Sequence, residues 1–279
     1  MKAPGVKSRQ PIGACSWSLQ ASGPKQLAEM LVSVGVDCVQ LHLDPLQTGA
    51  WSEEETFREL ARANIEIRSG MMSMEAEDYS TLDSIRRTGG VRPEATWDKN
   101  RTAAKANAKL ARRLKLELVT LHAGFMPHDR RDPEREVLLG RLRDLVDIFS
   151  AHGVRVGFET GQESAATLVE ALSDLGRDKA GVNFDPANMI LYGMGDPVAA
   201  LRLLGDRVLQ IHIKDALATK INGAWGEEVL VGTGQVDWRT FFEVVRAERV
   251  SVDWMIEREA GTQRIEDMRA AREFVEKFA

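Results

Sequence analysis

Strand-forming runs alternate with amphipathic helical segments along nearly the whole chain, in about eight strand–helix units. Helices between strands carry the chain back across a sheet, so such a repeat builds parallel strands. The expected fold is therefore α/β, a single (β/α)8 TIM barrel over residues 1–279. That length suits a barrel, which typically takes about 250 residues. An open doubly wound sheet is the runner-up, but no glycine-rich dinucleotide fingerprint follows the first strand. No tandem repeat, low-complexity stretch or linker divides the chain.

The pattern places strands at residues 12–17, 37–43, 65–71 and 117–122, and helices at 24–35, 52–63 and 98–114. Ser52 with Glu55 makes a capping-box pattern. Asp132-Pro133 reads as an N-cap with proline at the first helical position, opening a helix to about residue 151. Residues 73–97 are polar and punctuated by Gly89-Gly90 and Pro93. They read as a long loop over the barrel mouth, with at most a short helix.

Four later strands each end on a side chain that binds metals: Glu159 in VRVGFET, Asp185 in GVNFDP, His212 in VLQIHIKD and Glu257 in VDWMIERE. Side chains on a strand alternate between faces. Leu209, Ile211 and Ile213 share the face expected to meet the helices, which turns His212 inward. Phe158, Phe184 and Ile256 do the same for Glu159, Asp185 and Glu257. All four then share one inner face at the C-terminal end of the barrel, where enzymes of this architecture carry out chemistry. Three buried carboxylates repel one another without a cation. With an imidazole they suit one divalent ion such as Mn, Mg, Co or Zn. A structural salt-bridge network is the alternative, since Glu66, Arg68 and Arg155 also have inward parity.

Composition narrows the partners. Net charge is −5, so no broad basic surface recommends nucleic acid. No stretch reaches the roughly 20 apolar residues of a membrane span. The opening MKAPGVKSRQPIGACSWS lacks the apolar core of an export signal, so a cytoplasmic location is expected. Cys15 and Cys38 fall in strands and read as reduced core thiols. A homo-oligomer is left open.

With these segments in place, the chain resembles the xylose isomerase-like TIM-barrel superfamily, in its sugar phosphate isomerase/epimerase branch. IGACSWS, VTLHAG, GFET, NFDPAN, HIKDA with VGTGQVDW, and IEREAG carry the resemblance in order along nearly the full length. It implies that Glu159, Asp185, His212 and Glu257 form a single-metal tetrad. It also implies that Glu159 and Glu257 exchange protons with a sugar or polyol substrate. Where ketohexose 3-epimerases of the branch place substrate-gripping Glu, His and Arg, this chain has Ala165, Asn188 and Ala218. The resemblance thus points to another polyol, keto-sugar or inosose. Asn188 also stands where the superfamily's apurinic endonucleases place a zinc-binding histidine, which disfavours that activity.

A carbonyl next to a hydroxyl-bearing carbon makes that carbon's proton removable once a metal polarises it. His122, Asn188, Lys214, Trp17 and Trp97 are the candidate substrate contacts. Lys214 suits a developing oxyanion, with pairing to Asp215 or other acids as the alternative. Trp17, Trp51, Trp97 and Trp225 fall at strand ends or in expected loops, where a ring can stack on a sugar. The glycines of Gly232-Thr233-Gly234 are too few for a phosphate loop, which favours a non-phosphorylated substrate. The expected activity is a metal-dependent sugar isomerase or epimerase. A lyase or dehydratase sharing its first step is the main alternative, followed by a non-catalytic sugar-binding barrel.

Overall fold

The computed structural model describes residues 10–221 and 223–279. The start of the segment read for an export signal, residues 1–9, lies outside them. Among the described residues, eight parallel strands close into a barrel. They are β1 (Ile12–Cys15), β2 (Cys38–His42), β3 (Glu66–Met71), β4 (Leu118–Leu121), β5 (Arg155–Glu159), β6 (Ala180–Phe184), β7 (Val208–Ile213) and β10 (Trp254–Ile256). Between β7 and β10, β8 (Asp215–Leu217) and β9 (Glu227–Val229) form an antiparallel hairpin. No described helix is long and apolar enough to cross a membrane.

Helices pack outside because their sequence spacing gives each an apolar stripe. Helix α1 (Pro24–Val34) starts on its proline and buries Leu27, Leu31 and Val34. It ends where Gly35, at φ 85°, donates its N–H to the Leu31 and Val32 carbonyls. A four-residue helix, α2 (Asp44–Gln47), follows β2. Ser52 caps α3 (Glu53–Arg62) by accepting from the Glu55 amide. Asp132 caps α6 (Pro133–Ser150), which buries Leu138, Leu142, Leu145 and Phe149.

Residues 73–97 are more ordered than a loop. They contain α4 (Leu82–Thr88), capped by Thr81. They also contain the first turn of α5 (Glu94–Arg113), which begins four residues earlier than the sequence suggests. Gly90, at φ 66°, lies so close to the β4 exit that a Cβ there would fall 2.1 Å from the Gly124 nitrogen. The two segments are joined where Val91 donates to the Ala123 carbonyl at 3.1 Å. The paired glycines thus mark a close crossing of backbones.

Inside the barrel, the layer beneath the C-terminal end is polar. Gln40 donates to Thr120 Oγ1 at 2.7 Å, and Gln210 donates to Gln40 Oε1 at 2.8 Å and Asn183 Oδ1 at 3.1 Å. Ser69 donates to Gln210 Oε1. At the N-terminal end Arg68 bonds Glu66, a pairing that parity offers as the alternative use of inward charges, and also Asp253. Arg155 lines a cavity beside them.

Candidate metal centre and substrate cavity

Strand parity brings the four ligand-type residues together. One ligand-type atom from each of Glu159, Asp185, His212 and Glu257 lies within 4.8 Å of the others, and all four residues are buried. His212 Nδ1 stands 3.4 Å from Glu257 Oε2, 3.5 Å from Glu159 Oε1 and 3.7 Å from Asp185 Oδ2. Four donors around one ion at about 2.1 Å, set tetrahedrally, would stand about 3.4 Å apart. His212 Nδ1 and Asp185 Oδ2 are buried without a hydrogen-bond partner among the described residues. Orphaned buried acceptors are rare, and two aimed at one cluster fit a shared cation.

The second ring nitrogen of His212, Nε2, lies 2.8 Å from Gln40 Oε1. A proton on Nε2 donated to that oxygen leaves the Nδ1 lone pair free, the arrangement usual for a ligating histidine. Burial is the largest influence on His212 and opposes its charge. The carboxylates of Glu159, Glu257 and Asp185 together outweigh it and raise its pKa well above the usual imidazole range. The cluster calls for positive charge. Cys15 touches the Nε2 edge instead, at 3.7 Å. Burial pushes its thiol up to about 12, so it stays neutral beside the cluster.

Lys214 follows β7 with the same inward parity as His212. Its Nζ donates to Glu257 Oε2 at 2.9 Å, Glu259 Oε2 at 2.7 Å and Asn188 Oδ1 at 3.2 Å. Burial disfavours the ammonium, but Glu257, Glu259 and Asp185 overcome this and keep its pKa well above the ordinary lysine value. Asp215, the alternative partner, is used elsewhere. Its carboxylate accepts from the amides of Gly232, Gly234 and Val236 and from the Trp238 indole. The Gly232 and Gly234 amides are thus turned onto a protein carboxylate, and the Thr233 amide onto the Leu230 carbonyl. A Cβ on Gly234 would come within 2.1 Å of Asp215 Oδ1.

Asn188 sits in α8 (Pro186–Leu191), whose N-cap is Asp185. Its amide donates to Glu159 Oε1 at 2.8 Å while its oxygen receives Lys214, so it joins the two sides of the cluster. Trp17, in a short 3-10 turn after β1, donates its indole N–H to Glu257 Oε1 at 2.7 Å. That turn replaces the end of the expected first strand because Ser16 and Ser18 bond the backbones of His42 and Arg258.

His122 Nε2 lies 3.5 Å from Glu159 Oε2, and its Nδ1 is 2.7 Å from the Tyr79 hydroxyl. Burial opposes a charge on His122, but Glu159 and Glu77 prevail and raise its pKa to about 9. In turn, burial works against ionised Glu159, while His212 and His122 hold its carboxyl well below the usual range.

Of the cluster, Glu159 and Glu257 line one cavity of about 510 Å³ at the C-terminal ends of the strands, and Asp185 and His212 do not. Trp17, His122, Asn188 and Lys214 face it as expected, and Trp225 joins them. Trp97 does not. Because α5 begins at Glu94, Trp97 falls in its first turn and packs on the core, with the Arg141 guanidinium 5.4 Å from its ring. Trp51 is likewise packed against the core. Neither Ala165 nor Ala218 is a lining residue. The cavity gains Glu77, Tyr79, Tyr192 and Glu259, which the sequence did not single out. Tyr79 comes from a stretch without periodicity, whereas Tyr192 directly follows α8 and Glu259 stands two residues after Glu257. A larger cavity, about 660 Å³, opens at the opposite end around Arg68 and Arg272. None of the four clustered ligand-type residues lines it.

The family model for the xylose isomerase-like TIM barrel matches residues 25–278. None of the curated protein sequences matches the chain. Among solved structures, a xylose isomerase domain protein from Planctomyces limnophilus is 31% identical, with a TM-score of 0.83 over 90% of this chain and 91% of that one. The D-allulose 3-epimerase from Methylomonas sp. in complex with D-allulose is 14% identical, covering 97% of this chain and 98% of that one, at 0.73. The probable 3-DHS dehydratase involved in petrobactin synthesis from Bacillus anthracis is 18% identical, covering 95% and 98%, at 0.72. The last two share the fold. Together with the family model, the barrel and its order of strand-end residues place the chain: it belongs to the xylose isomerase-like TIM barrel family.

Proposed function

We propose that the protein is a divalent-metal-dependent sugar isomerase or epimerase that removes a proton beside a substrate carbonyl. The observation that carries this reading is the convergence of Glu159, Asp185, His212 and Glu257 within 4.8 Å, with Glu159 and Glu257 lining a cavity. These four would hold the ion, whose Lewis acidity makes the C–H beside a carbonyl removable. Mn, Mg, Co and Zn all suit the donor set.

The chain's own residues supply the proton chemistry. Glu159 and Glu257 come from β5 and the exit of β10, with β6 and β7 between them. From those positions their carboxylates take a proton from the substrate carbon and return it. Asn188 orients Glu159, and Trp17 orients Glu257. Lys214 sits where it can offset negative charge growing on a substrate oxygen. Sugar 3-epimerases and a dehydratase among proteins of this fold agree with a small-molecule sugar or polyol substrate.

One observation favours elimination as a second reading. The Tyr79 hydroxyl, held by His122, faces the same cavity and could protonate a leaving oxygen. Metal-loaded protein incubated in D₂O with keto-sugars, keto-glycosides and inososes separates the two by NMR. Deuterium in an intact carbon skeleton supports isomerisation or epimerisation, and loss of water or an alcohol supports elimination. Absence of metal-dependent exchange across the panel, unchanged in Glu159→Gln and Glu257→Gln, would overturn the enzymatic reading.

A further inference from the structure

The cavity has two unlike halves. The ligand cluster, Lys214 and His122 make one of them polar. The other is built by Leu191, Tyr192 and Trp225. Helix α8 joins the halves, with Asp185 and Asn188 at its start and Leu191 and Tyr192 at its end. The six residues of α8 separate Asp185 from Tyr192, seven steps and a rise of about 10 Å. That exceeds the span of a single pyranose ring.

The apolar half is a fixed surface. Tyr192 meets Phe125 edge-on at 5.7 Å between ring centroids and Trp225 at 4.7 Å. The hairpin loop carrying Trp225 is pressed on α8, where Gly226 donates to the Leu191 carbonyl at 3.3 Å. A Cβ on Gly226 would come within 2.6 Å of the Leu217 carbonyl oxygen. The Trp225 indole N–H is buried and has no acceptor among the described residues.

Charge excludes a phosphate there. Among the described residues, the lining holds Glu77, Glu159, Glu257 and Glu259 against a single lysine, Lys214, already bonded to two of them. A divalent ion, that lysine and a charged His122 only match those four carboxylates, and Asp185 adds a fifth, so no positive charge is left over for a phosphate. The loop amides nearest in kind to a phosphate cradle are occupied by Asp215. A cavity of about 510 Å³ is in the range that encloses drug-sized ligands.

We propose that Leu191, Tyr192 and Trp225 form a subsite for an uncharged aromatic substituent, so that the substrate is an aryl glycoside of a keto-sugar. This rests on reading the ligand cluster as a sugar site. Binding is tested separately from turnover, by calorimetry on the metal-loaded protein with phenyl β-glucoside, methyl β-glucoside and glucose 6-phosphate.

The expected result is a preference of about tenfold for the phenyl over the methyl glycoside. Trp225→Ala and Tyr192→Leu remove the preference, Trp225→Phe keeps most of it, and methyl glucoside binding stays the same in all three. Equal binding of the two glycosides, a preference that survives Trp225→Ala, or tightest binding by the phosphate would overturn the subsite. Retained aryl preference without metal-dependent deuterium exchange would overturn the isomerase reading while leaving the subsite standing.

Discussion

Asp185 divides its carboxylate between two tasks through its relation to Asn188. Oδ1 accepts the Asn188 amide at 2.9 Å and caps α8, while Oδ2 turns to His212 Nδ1 at 3.7 Å. Asparagine also caps helices well, whereas alanine does not. Asp185→Asn is therefore expected to keep stability within about 0.5 kcal/mol while losing most metal affinity. Asp185→Ala is expected to lose metal affinity and about 1 kcal/mol of stability as well. Urea unfolding of the metal-free variants, with bound metal measured by elemental analysis, separates the two tasks. Full metal loading in Asp185→Asn would contradict the assignment.

Gln40 acts on the cluster through His212 Nε2. Removing such a partner commonly costs 10- to 100-fold in metal affinity, so a loss of about that size is expected for Gln40→Met. Competition with a chelator measures it. An unchanged dissociation constant would show that Gln40 does not orient the imidazole.

Glu163 is buried among apolar side chains, and that burial pushes its pKa up to about 8. The fold then keeps a proton that the unfolded chain releases near 4.5. Between those values the unfolded state binds fewer protons, so stability falls as pH rises through that window. Glu163→Gln should flatten this slope and raise stability above neutrality. Urea midpoints at about pH 5 and about pH 9 test this sign. A wild-type midpoint that rises across the interval, matched by Glu163→Gln, would refute the buried neutral acid.

Tyr79 places its hydroxyl 2.7 Å from His122 Nδ1 and donates it to Glu77 Oε2 at 3.2 Å, at the wall of the cavity. Tyr79→Phe removes the hydroxyl and keeps the ring. Under the elimination reading turnover falls about 100-fold, the scale of one acid–base group, with bound metal unchanged. Steady-state rates beside metal content are the measurement, and wild-type turnover would remove Tyr79 from the chemistry.

Asp215 gathers three loop amides and the Trp238 indole. Leaving them unpaired in Asp215→Ala should cost about 4 kcal/mol or more in urea unfolding. A loss below about 1 kcal/mol would mean that water replaces the carboxylate without difficulty.

The barrel and the cluster were legible because both follow from alternation. Outward Ile211 and Ile213 fixed the direction of His212, and the same parity applies to Gln40 on β2. Gln40 went unremarked because an amide is not itself a metal ligand. Trp97 was misplaced for a different reason. The helix start at Glu94 has Pro93 at its N-cap, with no side chain to mark the boundary, and four residues of helix were read as loop. Tyr79 was not singled out because its position depends on a distant crossing at Gly90. No local periodicity reports such a contact.

The Asp215 knot also separates two things that enzymes often entangle. Lys214 turns inward to Glu257, and the next residue ties down the base of the hairpin. At its far side, Glu228 anchors β9 to the Arg258 guanidinium and the Glu259 amide. The described tip between these anchors, residues 218–221 and 223–226, carries Trp225 and supplies none of the four clustered ligand-type residues. A chain built this way can exchange its tip as a cassette, trading one substrate for another while the reaction stays the same.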